Sequence, residues 1–98
     1  MDSSWEVALA KWMDEKGIIW DRSRKRYMFW WTDQTGKKRR YYPDFYLPKY
    51  NVYADPKNKY KLSNDQYKLN CVIKENNITL FYGELNDIKK NIDILNLS

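Results

Sequence analysis

Two helix-opening signals bracket a long series of strand-forming runs, and this alternation confines the chain to a sheet with helices around it. The first signal is Ser3-x-x-Glu6, a capping-box pattern. The stripe Trp5, Leu9, Trp12 and Met13, at i, i+4, i+7 and i+8, predicts a helix over residues 4–16, which Gly17 stops. Ile18-Ile19-Trp20 begins an extended segment. Residues 26–32 and 37–42 flank the turn signal Asp33-Gln34-Thr35-Gly36 and predict a hairpin. The chain continues extended through Pro43 into Asp44-Phe45-Tyr46-Leu47, turns at Pro48-Lys49-Tyr50-Asn51, and Val52 to Asp55 predicts another short strand. The second signal, Ser63-x-x-Gln66, predicts a helix over 64–76 whose buried stripe is Leu69, Val72 and Ile73. An apolar strand at 78–82 and a helix at about 85–95 complete the order α-β-β-β-α-β-α. Leu85, Ile88, Ile92 and Leu95 form the last stripe, which either covers the sheet or makes a dimer seam. The expected fold is α/β, a mixed sheet flanked by helices, in one domain over 1–98.

The core of a 98-residue chain is thin. With five Trp and nine Tyr, aromatic rings must supply much of it. The absences restrict the chemistry. With no His, the chain has no Ser-His-Asp or Cys-His catalysis, no zincin site and no Cys₂His₂ finger. One cysteine, Cys71, leaves no disulfide or multi-Cys metal site within the chain; it fits a reducing, intracellular setting and reads as a small buried hydrophobe. Three scattered glycines exclude the GxGxxG and Walker A loops, and with them a nucleotide cofactor. No apolar run reaches the ~20 residues of a membrane span, and Met1-Asp2-Ser3-Ser4 lacks a signal-peptide pattern, so no membrane partner and a cytoplasmic setting are expected. Carboxylates, lysine, tyrosine and a bound metal remain for catalysis. The formal charge of +5 favours an anionic partner.

Segment 43–57 carries the chemistry. Pro43-Asp44 precedes Asp55 by one strand and one turn, and Asp55-x-Lys57 ends the next strand. Two carboxylates at the ends of adjacent strands can converge on one hard cation. Mg²⁺ needs only one or two of them besides water and phosphate. Residues i and i+2 of a strand face one side, which sends Lys57 into the space that Asp55 lines. An ammonium there orients or deprotonates an attacking water, or offsets charge on a phosphate. This is a set for phosphodiester hydrolysis without histidine.

These residues resemble the PD-(D/E)xK nuclease superfamily, and most of all the phage endonuclease I group, which cuts DNA four-way junctions. The chain is also similar to transposon-end nucleases on the same core. The resemblance runs from about Ser3 to Gly83. It takes in Ser3-x-x-Glu6, Lys16-Gly17-Ile18, Tyr42-Pro43-Asp44-Phe45-Tyr46-Leu47-Pro48, Asp55-Pro56-Lys57 and the strand at 78–82. It implies a single restriction-endonuclease-like core and a metal-dependent DNA endonuclease, selective for branched DNA if the junction-cutting group is the right one. It implies Asp44 and Asp55 as ligands of Mg²⁺ or Mn²⁺, Lys57 as the catalytic lysine and Glu6 as an additional carboxylate at the metal. It also points to a phage-encoded protein acting in its host cell. A homodimer follows if junctions are the substrate, because a four-way junction is two-fold. The sequence departs from the commoner pattern in having Asp at 55 and Pro at 56. Pro56 cannot donate to a ladder and needs a strand end, a bulge or an unpaired edge.

Plainer roles stand beside these. Glu6 is also the capping-box residue for Ser3, and Asp65 reads as a charge complementing a helix N-terminus. Arg22, Arg24, Lys25 and Arg26 before the hairpin, and Lys37, Lys38, Arg39 and Arg40 on its return strand, interleave with Tyr27, Tyr41 and Tyr42. They are the expected DNA contacts, joined by Lys68 on the second helix. Alternation through Tyr27 to Trp31 buries one face and leaves the other for packing or DNA. The alternative function is a catalytically inactive DNA-binding module on the same fold.

Overall fold

A computed structural model describes residues 3–22, 27–57 and 59–97. Helix α1 (Ser3–Glu15) has the predicted stripe, with Leu9 and Met13 fully buried. It ends in a Schellman motif. The Gly17 N–H reaches the Asp14 carbonyl at 3.1 Å and the Ile18 N–H reaches that of Met13 at 2.9 Å. Gly17 sits at φ +71°, the left-handed conformation that this cap needs and that glycine adopts without strain.

Strand β1 (Asp21–Arg22) pairs antiparallel with β4 (Phe45–Leu47), which pairs antiparallel with β5 (Val52–Pro56). β5 pairs in parallel with β6 (Leu80–Gly83), so this four-stranded sheet is mixed, in the order β1-β4-β5-β6. Helix α2 (Lys59–Asn76) makes the crossover that a parallel pair requires, and helix α3 (Leu85–Leu97) follows β6. Strands β2 (Phe29–Thr32) and β3 (Lys38–Tyr41) form the expected hairpin.

The hairpin does not supply two of the sheet's strands. It is a separate two-stranded sheet, and the short β1 takes the edge beside β4. Pro43, lacking an N–H, interrupts the chain between Tyr41 and Phe45 and prevents one continuous ladder. Helix α2 also begins five residues earlier than the capping box suggests, so Ser63 lies inside it. Leu62 shares the stripe of Leu69, Val72 and Ile73 and packs on the same cluster, which carries the helix back past the box.

The sheet has two unlike faces. Phe45, Leu47 and Ala54 meet Leu9 and Met13 of α1 and Ile88 and Ile92 of α3, so the last helix covers the sheet. On the other face, Leu80 with Tyr53 and Tyr82 meets Leu69 and Val72 of α2 and Trp31 and Tyr41 of the hairpin. Tyrosine rings fill the gap beneath the hairpin: Tyr27 and Tyr53 each lie 4.8 Å from Tyr46, and Phe29 lies 5.0 Å from Tyr53. Cys71 is half-buried against this second cluster. Among the described residues, no helix is long and apolar enough to cross a membrane.

Candidate active site

Five elements converge at one end of the sheet. Asp44 follows the buried Pro43 just before β4. Asp55 lies near the end of β5, on the tyrosine face, and is only 4% exposed. Pro56 is the last residue of β5, where its missing N–H is tolerated, and the Lys57 N–H then reaches the Gly83 carbonyl at 2.7 Å. Glu6 comes from α1, Tyr41 from the end of β3 and Asp65 from the second turn of α2.

Asp44 lies close enough to Asp55 and Glu6 for their carboxyl groups to influence its ionisation. Burial, then the charges of Asp55 and Glu6, push its pKa up to about 8, so at neutral pH it holds a proton, a single donor that can serve one neighbouring carboxylate at a time. The Tyr41 hydroxyl donates to Asp55 Oδ2. Burial and the Asp55 charge raise the Tyr41 pKa well above the ordinary phenol range and keep it a donor. Lys57 Nζ lies 3.5 Å from Asp55 Oδ2 and 3.2 Å from Asp65 Oδ2. Burial pulls the Lys57 pKa down, but Asp55, Asp65 and Asp44 more than offset this, and the net shift is upward. Lys57 is therefore held as an ammonium, a donor and a charge rather than a base.

Glu6, 6% exposed, receives Arg22 Nη2 at 2.6 Å. Its carboxylate is thus directed to Arg22 and Asp44. Arg22, expected on DNA, is engaged here, because pairing of β1 with β4 sets it opposite Phe45 and beside Asp44. Lys68 Nζ lies 3.8 Å from Asp65 and 5.6 Å from the Tyr41 ring centroid, at the margin of the same network.

The hairpin cations are dispersed. Arg39 bonds Asp33 at 2.5 Å, Lys38 lies 3.9 Å from Glu75, and Arg40 stacks over Trp30, while Lys37 is exposed. Arg24, Lys25 and Arg26 lie outside the described residues. Two site residues had other expected roles: Tyr41 stood among the DNA-contact aromatics but bonds Asp55, and Asp65, expected at a helix N-terminus, lies in the second turn of α2 and pairs with Lys57. Asp65 had a usable signal: with α2 starting early, Leu62, Asp65, Leu69 and Val72 form one stripe, and a carboxylate on a core-facing stripe needs a partner.

Among the described residues, no three His, Cys, Asp or Glu side chains are gathered as ligands of one ion. Two hard oxygen donors are neighbours here, Asp44 and Asp55, with Glu6 also close enough to Asp44 to influence it. Asp44 and Asp55 are the residues that could hold a divalent cation, whose charge would offset the repulsion between the two carboxyl groups. No protein-family model, curated protein or solved structure matches this chain.

Proposed function

We propose that the protein is a metal-dependent DNA endonuclease of the PD-(D/E)xK kind, on a restriction-endonuclease-like core. The observation that carries this reading is the Lys57 ammonium 3.5 Å from the buried Asp55 carboxylate, with Asp44 near enough to Asp55 to feel its charge. The element order supports it as well: apart from the hairpin, the chain runs α-β-β-β-α-β-α through its four-stranded sheet.

Asp44 and Asp55 would hold Mg²⁺ or Mn²⁺, which when bound polarises the phosphoryl group and acidifies water. The chain's own residues do the rest. Lys57 donates to the attacking water or to a phosphate oxygen, where negative charge grows as the new P–O bond forms and the old one breaks. Asp65 keeps Lys57 charged and aimed. Tyr41 fixes the Asp55 carboxylate through its donated hydrogen bond. Glu6, clamped by Arg22, steadies Asp44 from the other side. Lys37, Arg40 and Lys68, with Arg24, Lys25 and Arg26, supply cations for the DNA backbone.

A second reading, a DNA-binding module without catalysis, draws on the internal partners that Asp55 and Lys57 already have. Incubation with labelled duplex, single-stranded and four-way-junction DNA, with Mg²⁺, Mn²⁺ or EDTA, separates the two. The nuclease reading expects cleavage only with the cation, reduced at least ~10²-fold by Asp44→Asn and by Lys57→Ala. Metal-independent, salt-sensitive binding with no cleavage of any substrate selects the module.

A further inference from the structure

Strand β2 carries two adjacent tryptophans, and the pleat sends them to opposite sides. Trp31 is 8% exposed and packs with Tyr41, Leu69 and Val72. Trp30 is 44% exposed and faces away from that cluster. Its register partner across the hairpin is Arg40, whose guanidinium carbon lies 5.3 Å from the indole centroid. Partners of an antiparallel pair share a face, so indole and guanidinium stand together on the outer side of the hairpin. Arg40 meets no carboxylate among the described residues, whereas Arg39 and Lys38 lie against Asp33 and Glu75. From Phe29 to Tyr41 the hairpin holds four basic residues and one acid.

We infer that the outer face of the hairpin, Trp30 with Arg40, is a docking platform for an unpaired nucleotide of DNA. This rests on the nucleic-acid reading above and narrows its substrate. The match is one of chemistry at a single point. The face offers an accessible aromatic surface and a cation with no anionic partner, and a nucleotide offers a planar base joined to an anionic phosphate. In duplex DNA both sides of each base are covered by its neighbours, so only an unpaired or frayed nucleotide can use the indole. The next register pair, Phe29 with Tyr41, faces the core, and Tyr41 bonds Asp55. The platform therefore lies one strand step from the candidate active site, on the opposite side of the hairpin. The nucleotide it holds flanks the cut rather than being cut, and the preferred substrate has an unpaired strand beside a duplex.

The test uses the full chain in EDTA, so that binding is read without cleavage. Fluorescence anisotropy compares a labelled single-stranded oligonucleotide with a blunt duplex of the same sequence. Trp30→Thr, which keeps a good strand former, is expected to weaken single-strand binding about 10-fold or more and duplex binding less than about twofold. Trp30→Phe, which keeps a ring, should retain most single-strand binding. Arg40→Ala should weaken both and lower the salt dependence by about one counterion. Equal losses on both DNAs with Trp30→Thr, or no loss on either, would overturn the platform, even if the wild type cuts DNA. Selective loss with no cleavage by the wild type would leave the platform standing and remove the nuclease reading. No binding of either DNA at low salt would overturn both.

Discussion

The two faces of the sheet are built on different principles. The face under α1 and α3 is aliphatic and dry: Leu9, Met13, Phe45, Leu47, Ala54, Ile88 and Ile92 are all 0% exposed. The face under α2 and the hairpin combines Leu80 with Tyr46, Tyr53 and Tyr82 and carries Asp55. Alternation along β5 creates the contrast, sending Ala54 to one side and Tyr53 and Asp55 to the other. The first face contributes stability without chemistry. The second accepts polar groups because tyrosine packs like an apolar ring and still ends in a donor, as Tyr41 does at Asp55.

The contrast can be broken most strongly at Phe45. Phe45→Ala removes a fully buried ring from the dry face and should cost about 3–5 kcal/mol, read as a lower urea midpoint. A loss below about 1 kcal/mol would mean that this face does not hold the fold.

The polar face should respond to pH where the dry face cannot. Asp44 in the folded protein has a pKa of about 8, against about 4 in an unfolded chain. The folded state therefore binds the extra proton between these values. Stability from this group is highest below about pH 4, falls as pH rises toward about 8, and is level above it. Asp44→Asn resembles the protonated form. It should raise stability at pH 8 by at least ~1 kcal/mol and flatten this slope in thermal melts, while abolishing cleavage. A variant less stable than wild type at pH 8 would argue that Asp44 is a structural ion-pair partner instead.

A smaller effect sharpens the role of tyrosine. Tyr41→Phe leaves the ring in place but deprives the buried Asp55 of a donor, with an expected loss of about 1–3 kcal/mol. The exposed Lys37 gives the smallest. Lys37→Ala should leave the melting curve unchanged and weaken DNA binding only by about one phosphate contact's salt dependence.

The residues that bear local signals behaved as their chemistry suggests. Gly17 stops α1, Asp33 to Gly36 turns the hairpin, and Pro43-Asp44 leads into a strand. Glu6, Asp44 and the pair Asp55-x-Lys57, from three separate stretches of the chain, meet at one place. Long-range competition was less legible. A two-residue strand such as β1 has no period to detect, yet it displaces the hairpin from the sheet edge. The local box at Ser63 lost to the stripe begun by Leu62, because burial outweighs a cap. The site roles of Tyr41 and Asp65 were hidden because their partners, Asp55 and Lys57, are fixed only by tertiary packing.

If the proposed function holds, the Asp44–Asp55 pair would be a divalent-cation site made ready by a displaceable proton. Calorimetric titration of Mn²⁺ into the protein, at pH 7 and pH 9 in buffers of different ionisation enthalpy, tests it most directly. The account predicts one cation bound at both pH values, with close to one proton released at pH 7, far less at pH 9, and weak binding by Asp44→Asn. Binding that releases no proton at pH 7, or that Asp44→Asn leaves unchanged, would contradict it.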